Sequence, residues 1–79
     1  MPRFHLNIFN GDGESPDEEG QVLPDLAAAR SEAIRGIRSL LANELSSGAI
    51  ELGGRIEIAD VDGKVLQTVA FAEAVEIRT

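Results

Sequence analysis

Apolar residues recur at steps of three and four over residues 25–46, which is the spacing of one face of an α-helix. The other side of the same projection carries arginine, serine and asparagine. Asp25 stands where an N-cap residue is expected, and Gly48 suits a left-handed C-terminal cap. The pattern predicts one long amphipathic helix, whose apolar stripe is Leu26, Ala29, Ala33, Ile37, Leu40, Leu41 and Leu45.

Alternation of apolar and polar residues on both sides of this helix predicts β-strands. It is clear over residues 3–9, 54–60 and 64–71, and residues 21–23 form a shorter apolar run. The two-strand groups before and after the helix favour an antiparallel sheet with the helix on one face. We therefore predict a single α+β domain over residues 1–79, with the element order β-β-α-β-β.

Asp62 and Gly63 lie between two alternating runs and are typical of a two-residue hairpin turn. Residues that face each other across such a hairpin share one side of the sheet. Gln67 is then the one polar residue among the apolar residues of the core side, and after Phe71 we expect a short turn from which Val75 returns to the core. The predicted facing pairs are Val61 with Lys64, Ile58 with Gln67, Ile56 with Val69 and Gly54 with Phe71.

Two residues break these patterns. Gly36 lies in the middle of the helix, where glycine costs about 1 kcal/mol relative to alanine. Its presence predicts a close approach of the helix backbone to a strand or to another helix. Phe9 falls on the polar side of the first strand, where it either packs under the following loop or belongs to a contact surface.

Length and charge restrict the classes of function. A chain of 79 residues buries only about 60% of its unfolded surface, and without cysteine it has no disulfide to stabilise a thin core, so a homodimer is a live hypothesis. Fourteen acidic and seven basic residues give a net charge of −7, which argues against general nucleic-acid binding. The sequence has no signal-peptide or membrane-span pattern, so we expect a cytoplasmic protein.

Short motifs are spread over nearly the whole chain: Met-Pro-Arg-Phe at 1–4, Asp-Glu-Glu-Gly at 17–20, Leu-Pro-Asp-Leu at 23–26, Ala28-Ala29, Glu32-Ala33, Gly-Arg-Ile-Glu at 54–57, Asp62-Gly63 and Phe71. Together they resemble a family of small single-domain bacterial proteins of unknown function. The resemblance implies no activity, cofactor or catalytic residue. Its motifs are a cap, two turns and apolar strand positions, so it bears on the architecture more than on a site.

No combination of residues predicts catalysis or a bound cofactor. His5 is the only histidine, and neither a nucleophile nor a second metal ligand is signalled beside it. The segment that starts at Asn10 is similar to the start of a calcium loop, but Ser15 and Gln21 occupy the sixth and twelfth positions, where glycine and glutamate are required. We therefore predict no enzyme, and keep weak cation binding as an alternative for Asp12, Glu14, Asp17, Glu18 and Glu19.

The predicted outer face of the helix carries arginines that only Glu32 can pair with along the helix. Such arginines could bind an acidic partner or the acidic loop of a second copy. The leading hypothesis is a non-catalytic protein-interaction or regulatory module that uses the uncovered sheet face, a strand edge or the arginine face. The alternatives are an antitoxin-like regulator associated with nucleic acid and a small-ligand or metal binder. The predicted partner-binding residues are Arg30, Arg35, Arg38, Phe9, Asp17, Glu18 and Glu19.

Overall fold

A computed structural model describes residues 1–11 and 13–78. It confirms the predicted α+β fold, in which an antiparallel sheet carries one long helix. The order is β-β-β-α-β-β, one strand more than predicted. The elements are β1 (Arg3–Asn10), β2 (Gly13–Ser15), β3 (Gln21–Val22), α1 (Leu26–Ser46), β4 (Arg55–Ala59), β5 (Val65–Ala70) and a 3₁₀ turn (Phe71–Glu73).

The strand β1 is the centre of the sheet. It pairs with β4 along one side, while its other side pairs with β2 near its end and with β3 near its start. The strand order is β2-β1-β4-β5, and all pairs are antiparallel. We did not predict β2 because its residues are all exposed, so they lack the apolar alternation of a half-buried strand.

The helix begins where its capping residue predicts. The Oδ1 of Asp25 accepts a hydrogen bond from the backbone N–H of Ala28 at 2.8 Å, and Gly48 has the left-handed φ of +94° that follows many helix ends. Its buried residues form a stripe at steps of four: Ala29, Ala33, Ile37 and Leu41.

Leu45 does not join the core, which corrects the predicted stripe. Its exposed fraction is 65%. A helix of 21 residues is about 31 Å long, whereas β4 and β5, with 5 and 6 residues, span only about 17–20 Å. The last turn of α1 therefore extends beyond the strands that cover its middle.

The core closes around Phe71, which is completely buried. Its backbone N–H donates to the carbonyl oxygen of Gly54 at 2.9 Å, as the predicted register requires. The 3₁₀ turn follows at once and brings Ala74 into the core and Val75 against it, which confirms the predicted short turn. The remaining buried apolar residues of the core cluster are Phe4, Leu6, Ile56, Ile58 and Val69.

The β4–β5 hairpin differs from the prediction at its tip. Asp60 pairs with Lys64 through a 2.9 Å backbone hydrogen bond, so the loop has three residues and Val61 does not face Lys64. The Oδ1 of Asp60 accepts from the N–H groups of Asp62 and Lys64, both at 2.9 Å. This side-chain capping favours the longer loop, in which Gly63 has a φ of +85°.

A β-bulge restores the predicted register further along the hairpin. Ala59 pairs with Val65, yet Ile58 pairs with Gln67, so Leu66 is the extra residue. Beyond the bulge, Ile58 faces Gln67 and Ile56 faces Val69 as predicted. The extra residue in the strand thus compensates for the extra residue in the loop, and the apolar residues of both strands still reach the helix side.

Candidate partner-binding site

Two of the helix arginines have hydrogen-bond partners outside the helix, which their spacing along the helix did not indicate. Arg30 donates from Nη1 to Oε1 of Gln67 and from Nη2 to Oε1 of Glu73, both at 3.3 Å. Arg38 donates from Nε to the carbonyl oxygen of Ala74 at 2.6 Å. Gln67 is the polar residue that the register had placed on the core side, and it lies there as the partner of Arg30.

Arg35 differs from the other two helix arginines because its partner lies on the helix itself, as the sequence predicted. It forms an ion pair with Glu32 along the helix, and 72% of its side chain is exposed. The hydrogen bond from Arg35 holds the pKa of Glu32 below its usual range, while that of Arg35 is raised. Glu32 is therefore an ionised carboxylate on the helix surface.

The Glu73 carboxylate accepts hydrogen bonds at the end of β5. Its Oε2 accepts a 2.7 Å hydrogen bond from the backbone N–H of Ala70, and its Oε1 accepts from Arg30. These two hydrogen bonds, the one from Ala70 first, hold the pKa of Glu73 below its ordinary value of 4.5. The carboxylate thus stabilises the fold only while it is ionised.

We expect Glu73→Gln to reduce the dependence of stability on acid pH. A carboxyl whose pKa is lowered by folding contributes its full stabilisation above the ordinary value of 4.5, and loses it as the pH falls through the folded-state pKa. Urea unfolding at pH 7 and stepwise below pH 4.5 should show the wild type losing its advantage over Glu73→Gln. Glu18→Gln is the control, because the Glu18 carboxylate has no hydrogen bond in the structure. Parallel curves for wild type and Glu73→Gln would contradict the prediction.

Asp17, one of the predicted partner-binding residues, holds the acidic loop on β1. Its Oδ2 accepts from the N–H of Leu6 and its Oδ1 from the N–H of Gly20, both at 3.1 Å. Its own N–H donates to Oδ1 of Asn7 at 2.8 Å. Leu6 lies between the parts of β1 that pair with β2 and with β3, so Asp17 replaces a strand partner in this gap.

His5 and Gly20 fit the loop to the same stretch of β1. The Nδ1–H of His5 donates to the carbonyl oxygen of Asp17 at 2.7 Å, because a carbonyl oxygen can only accept. Gly20 has a φ of +72°, and the position that a Cβ would take there lies 2.8 Å from the carbonyl oxygen of Phe4. The Asp-Glu-Glu-Gly motif therefore reads as a structural loop.

The cation-binding alternative finds no support in this loop. Within residues 1–11 and 13–78, no three or more histidine, cysteine, aspartate or glutamate side chains form a group that could hold a metal ion. Asp12, one of the predicted donors, lies outside the described residues. Glu18 and Glu19 are exposed, and their carboxylates have no hydrogen bond in the structure.

Phe9 is half-buried on the sheet face opposite the helix. The guanidinium carbon of Arg55 lies 4.3 Å from the centre of its ring, a distance at which a cation–π contact is favourable. Arg55 is held there by Glu57, whose Oε2 is 3.0 Å from its Nε. The ring contact of Phe9 is thus with an arginine of β4 and not with the following loop, and its place in a contact surface stays a prediction.

A groove of about 350 Å³ lies between α1 and the loop side of the sheet. Its helix wall is Glu32 and Gly36, and no atom outside the local helix backbone lies within 4 Å of the position of a Cβ at Gly36. The predicted approach of Gly36 to a strand is therefore wrong, and the glycine opens a groove instead. We name it the Gly36 groove, and its other lining residues are Leu6, Ile8, Ser15, Pro16, Asp17, Gln21 and Ile56.

Basic and acidic side chains differ in how many of them have a hydrogen-bond partner. Every arginine donates a hydrogen bond within the chain, and Lys64 is the one basic side chain in the described residues that has no partner. Several carboxylates, by contrast, accept nothing from any described residue, and two of them belong to the loop that walls the Gly36 groove. These unpaired acids are Glu14, Glu18, Glu19 and Asp62.

Comparison with known protein families matches residues 3–72 to a domain of unknown function, DUF6894. No curated protein and no solved structure matches the chain. None of the helices in the described part of the chain has the length and apolar character required to cross a membrane.

Proposed function

Since the chain belongs to the DUF6894 family, whose function is unknown, we propose from its geometry that it is a non-catalytic protein-interaction module. The Gly36 groove takes an apolar side chain from a basic segment of a partner protein. The observation that carries the proposal is the open space at Gly36 beside the apolar floor of Leu6, Ile8 and Ile56.

The floor of the groove is suited to an anchoring side chain. Large apolar or aromatic residues that fill a pocket supply most of the energy of many protein interfaces. Here the pocket is lined by aliphatic side chains of β1 and β4, and its helix wall has no side chain at position 36, which is glycine. A helix interior loses about 1 kcal/mol with glycine in place of alanine, so the open wall is costly to the fold and useful to a ligand.

The charges around the groove favour a basic partner. Glu32 is ionised on one wall, and Glu18 and Glu19 stand without partners in the loop that forms the other. The net charge of −7 attracts a cationic segment over distances of about 10 Å at moderate salt. The negative charge would repel an acidic partner, which was the partner that the arginine face suggested.

The same observations weaken the other two hypotheses. A regulator that reads nucleic acid needs unengaged basic side chains, and the arginines of α1 bind Gln67, Glu73, Glu32 and Ala74 instead. A metal-dependent binder needs convergent donors, and the Asp17 carboxylate is occupied by two backbone N–H groups.

The test is selection from a phage-displayed library of random peptides against the immobilised full chain. We expect enriched peptides to combine a large aliphatic or aromatic residue with neighbouring lysine or arginine. Gly36→Leu should weaken their binding at least about tenfold, equivalent to about 1.4 kcal/mol, because the leucine fills the groove.

Ser39→Leu is the matched control, because Ser39 is exposed on the same helix and does not line the groove. It should change peptide affinity less than about twofold, which is within the small effect of most surface substitutions. Enrichment of acidic peptides would overturn the proposed partner chemistry. The absence of enrichment, or equal binding by the Gly36→Leu variant, would overturn the groove as the binding site.

A further inference from the structure

A second apolar groove lies at the opposite end of α1 from its capping residue. It encloses about 280 Å³ between the last helical turns, the following loop and the C-terminal segment. Three large aliphatic residues line it and are exposed by 65%, 41% and 66%, namely Leu45, Ile50 and Ile77. We name it the overhang groove, and its other lining residues are Arg38, Leu41, Ala42, Val75 and Glu76.

The groove is open because the helix is longer than the strands of β4 and β5. The loop after α1 and the C-terminal segment therefore lie beside the last turn of the helix, whereas the sheet lies beside its middle. Exposed large aliphatic residues that are scattered singly are ordinary, but three around one groove mark an interaction surface.

The two walls of the overhang groove differ in charge. The wall with Ile77 carries Arg78, which pairs with Glu76 at 3.1 Å while 83% of its side chain is exposed. On the other wall, Leu45 and Ile50 adjoin Glu44 and Glu51, and Oε1 of Glu44 accepts from the N–H of Glu51 at 2.8 Å. The Ile77 wall thus presents an exposed guanidinium together with the carboxylate of Glu76, whereas the other wall adjoins two carboxylates.

We propose that the overhang groove is the interface between two copies of this chain. Under a two-fold axis, the Ile77 wall of each copy lies against the wall of the other copy that carries Leu45 and Ile50. The interface then has two equivalent contacts. Each contact then joins aliphatic side chains, with Arg78 of one copy beside Glu51 of its partner. This self-complementarity selects a second copy as the occupant, because exposed charges of both signs surround the groove and a purely basic or purely acidic partner matches only one sign.

The overall charge of the chain supports the choice of this surface. Two copies with a net charge of −7 repel each other, so they associate most readily where the local charges are of both signs. The lining of the overhang groove has charges of both signs, Arg38 and Glu76, and Arg78 pairs with Glu76 next to it. The overhang groove shares no lining residue with the Gly36 groove. Dimerisation and peptide binding are therefore separable properties.

The test is sedimentation equilibrium of the full chain over a range of concentrations, compared with two substitutions. Leu45→Lys should raise the dimer dissociation constant at least tenfold. Val61→Lys is the matched control, since Val61 has the same exposed fraction of 65% but lies in the β4–β5 loop, and it should change the constant less than twofold. Circular dichroism should show both variants folded.

A mixing experiment tests the charge arrangement. Arg78→Glu and Glu51→Arg should each weaken the homodimer at least fivefold, because each puts like charges at both contacts. An equimolar mixture should form a heterodimer, in which both contacts regain opposite charges. A monomeric wild type at all concentrations, a dimer that Leu45→Lys leaves intact, or a mixture that remains monomeric would overturn the proposed interface.

Discussion

Gly54→Ala is expected to destabilise the protein by about 3 kcal/mol, the upper end of the usual cost of overpacking a core. The position that the new Cβ would occupy lies 2.5 Å from Cε2 of Phe71 and 2.7 Å from the carbonyl oxygen of Phe9. The ring of Phe71 is fully buried, so its displacement would disturb the core around it. The carbonyl oxygen belongs to the backbone of β1, so relief of this clash requires a shift of the strand.

The measurement is urea unfolding, with Gly36→Ala as the matched control. The same added methyl group meets no atom within 4 Å at Gly36, and alanine is the better residue in a helix interior. Gly36→Ala should therefore raise the free energy of unfolding by about 1 kcal/mol. A Gly54→Ala variant within about 0.5 kcal/mol of the wild type would show that the packing around Phe71 is looser than described.

Asp17→Ala is expected to cost about 2–3 kcal/mol, although Asp17 lies in an acidic surface loop. The substitution removes the acceptor of two backbone N–H groups, those of Leu6 and Gly20. Each part-buried donor that loses its acceptor costs about 1–3 kcal/mol, and the part that water can reach lowers the sum. Amide hydrogen exchange of Leu6 should accelerate in the variant, because that N–H lies in the gap between β2 and β3.

Glu18→Ala is the matched control for Asp17→Ala, because it removes the neighbouring carboxylate, which accepts no hydrogen bond. It should change the free energy of unfolding by less than about 0.5 kcal/mol. Equal costs for the two substitutions would mean that the loop contributes through its total charge. A larger cost for Asp17→Ala identifies the two hydrogen bonds as the cause.

The arginines of α1 illustrate what helical periodicity leaves open. The spacing correctly paired Arg35 with Glu32, which is three residues away. It could not pair Arg30 with Gln67 and Glu73, which are 37 and 43 residues away. Periodicity predicts the direction of a side chain from the helix axis but not which strand end lies beside it.

The acidic loop illustrates the same limit. Its composition indicated an exposed segment, and Glu18 and Glu19 are exposed. Asp17 differs only because β2 and β3 leave part of β1 unpaired, and that gap exists only after the sheet has formed. The Asp17-to-Gly20 spacing was visible, but nothing in it indicated which N–H groups the carboxylate would accept.

The sequence by itself determined the α+β class, the start and end of α1, and the register of β4 and β5 beyond their turn. These features depend on hydrogen bonds and apolar spacing within a few residues along the chain. Only the tertiary structure decided that Gly36 opens a groove, that Leu45 is exposed and that the helix arginines are engaged. Those outcomes depend on the relative lengths of the helix and the strands and on contacts between residues far apart in the chain, which no local pattern encodes.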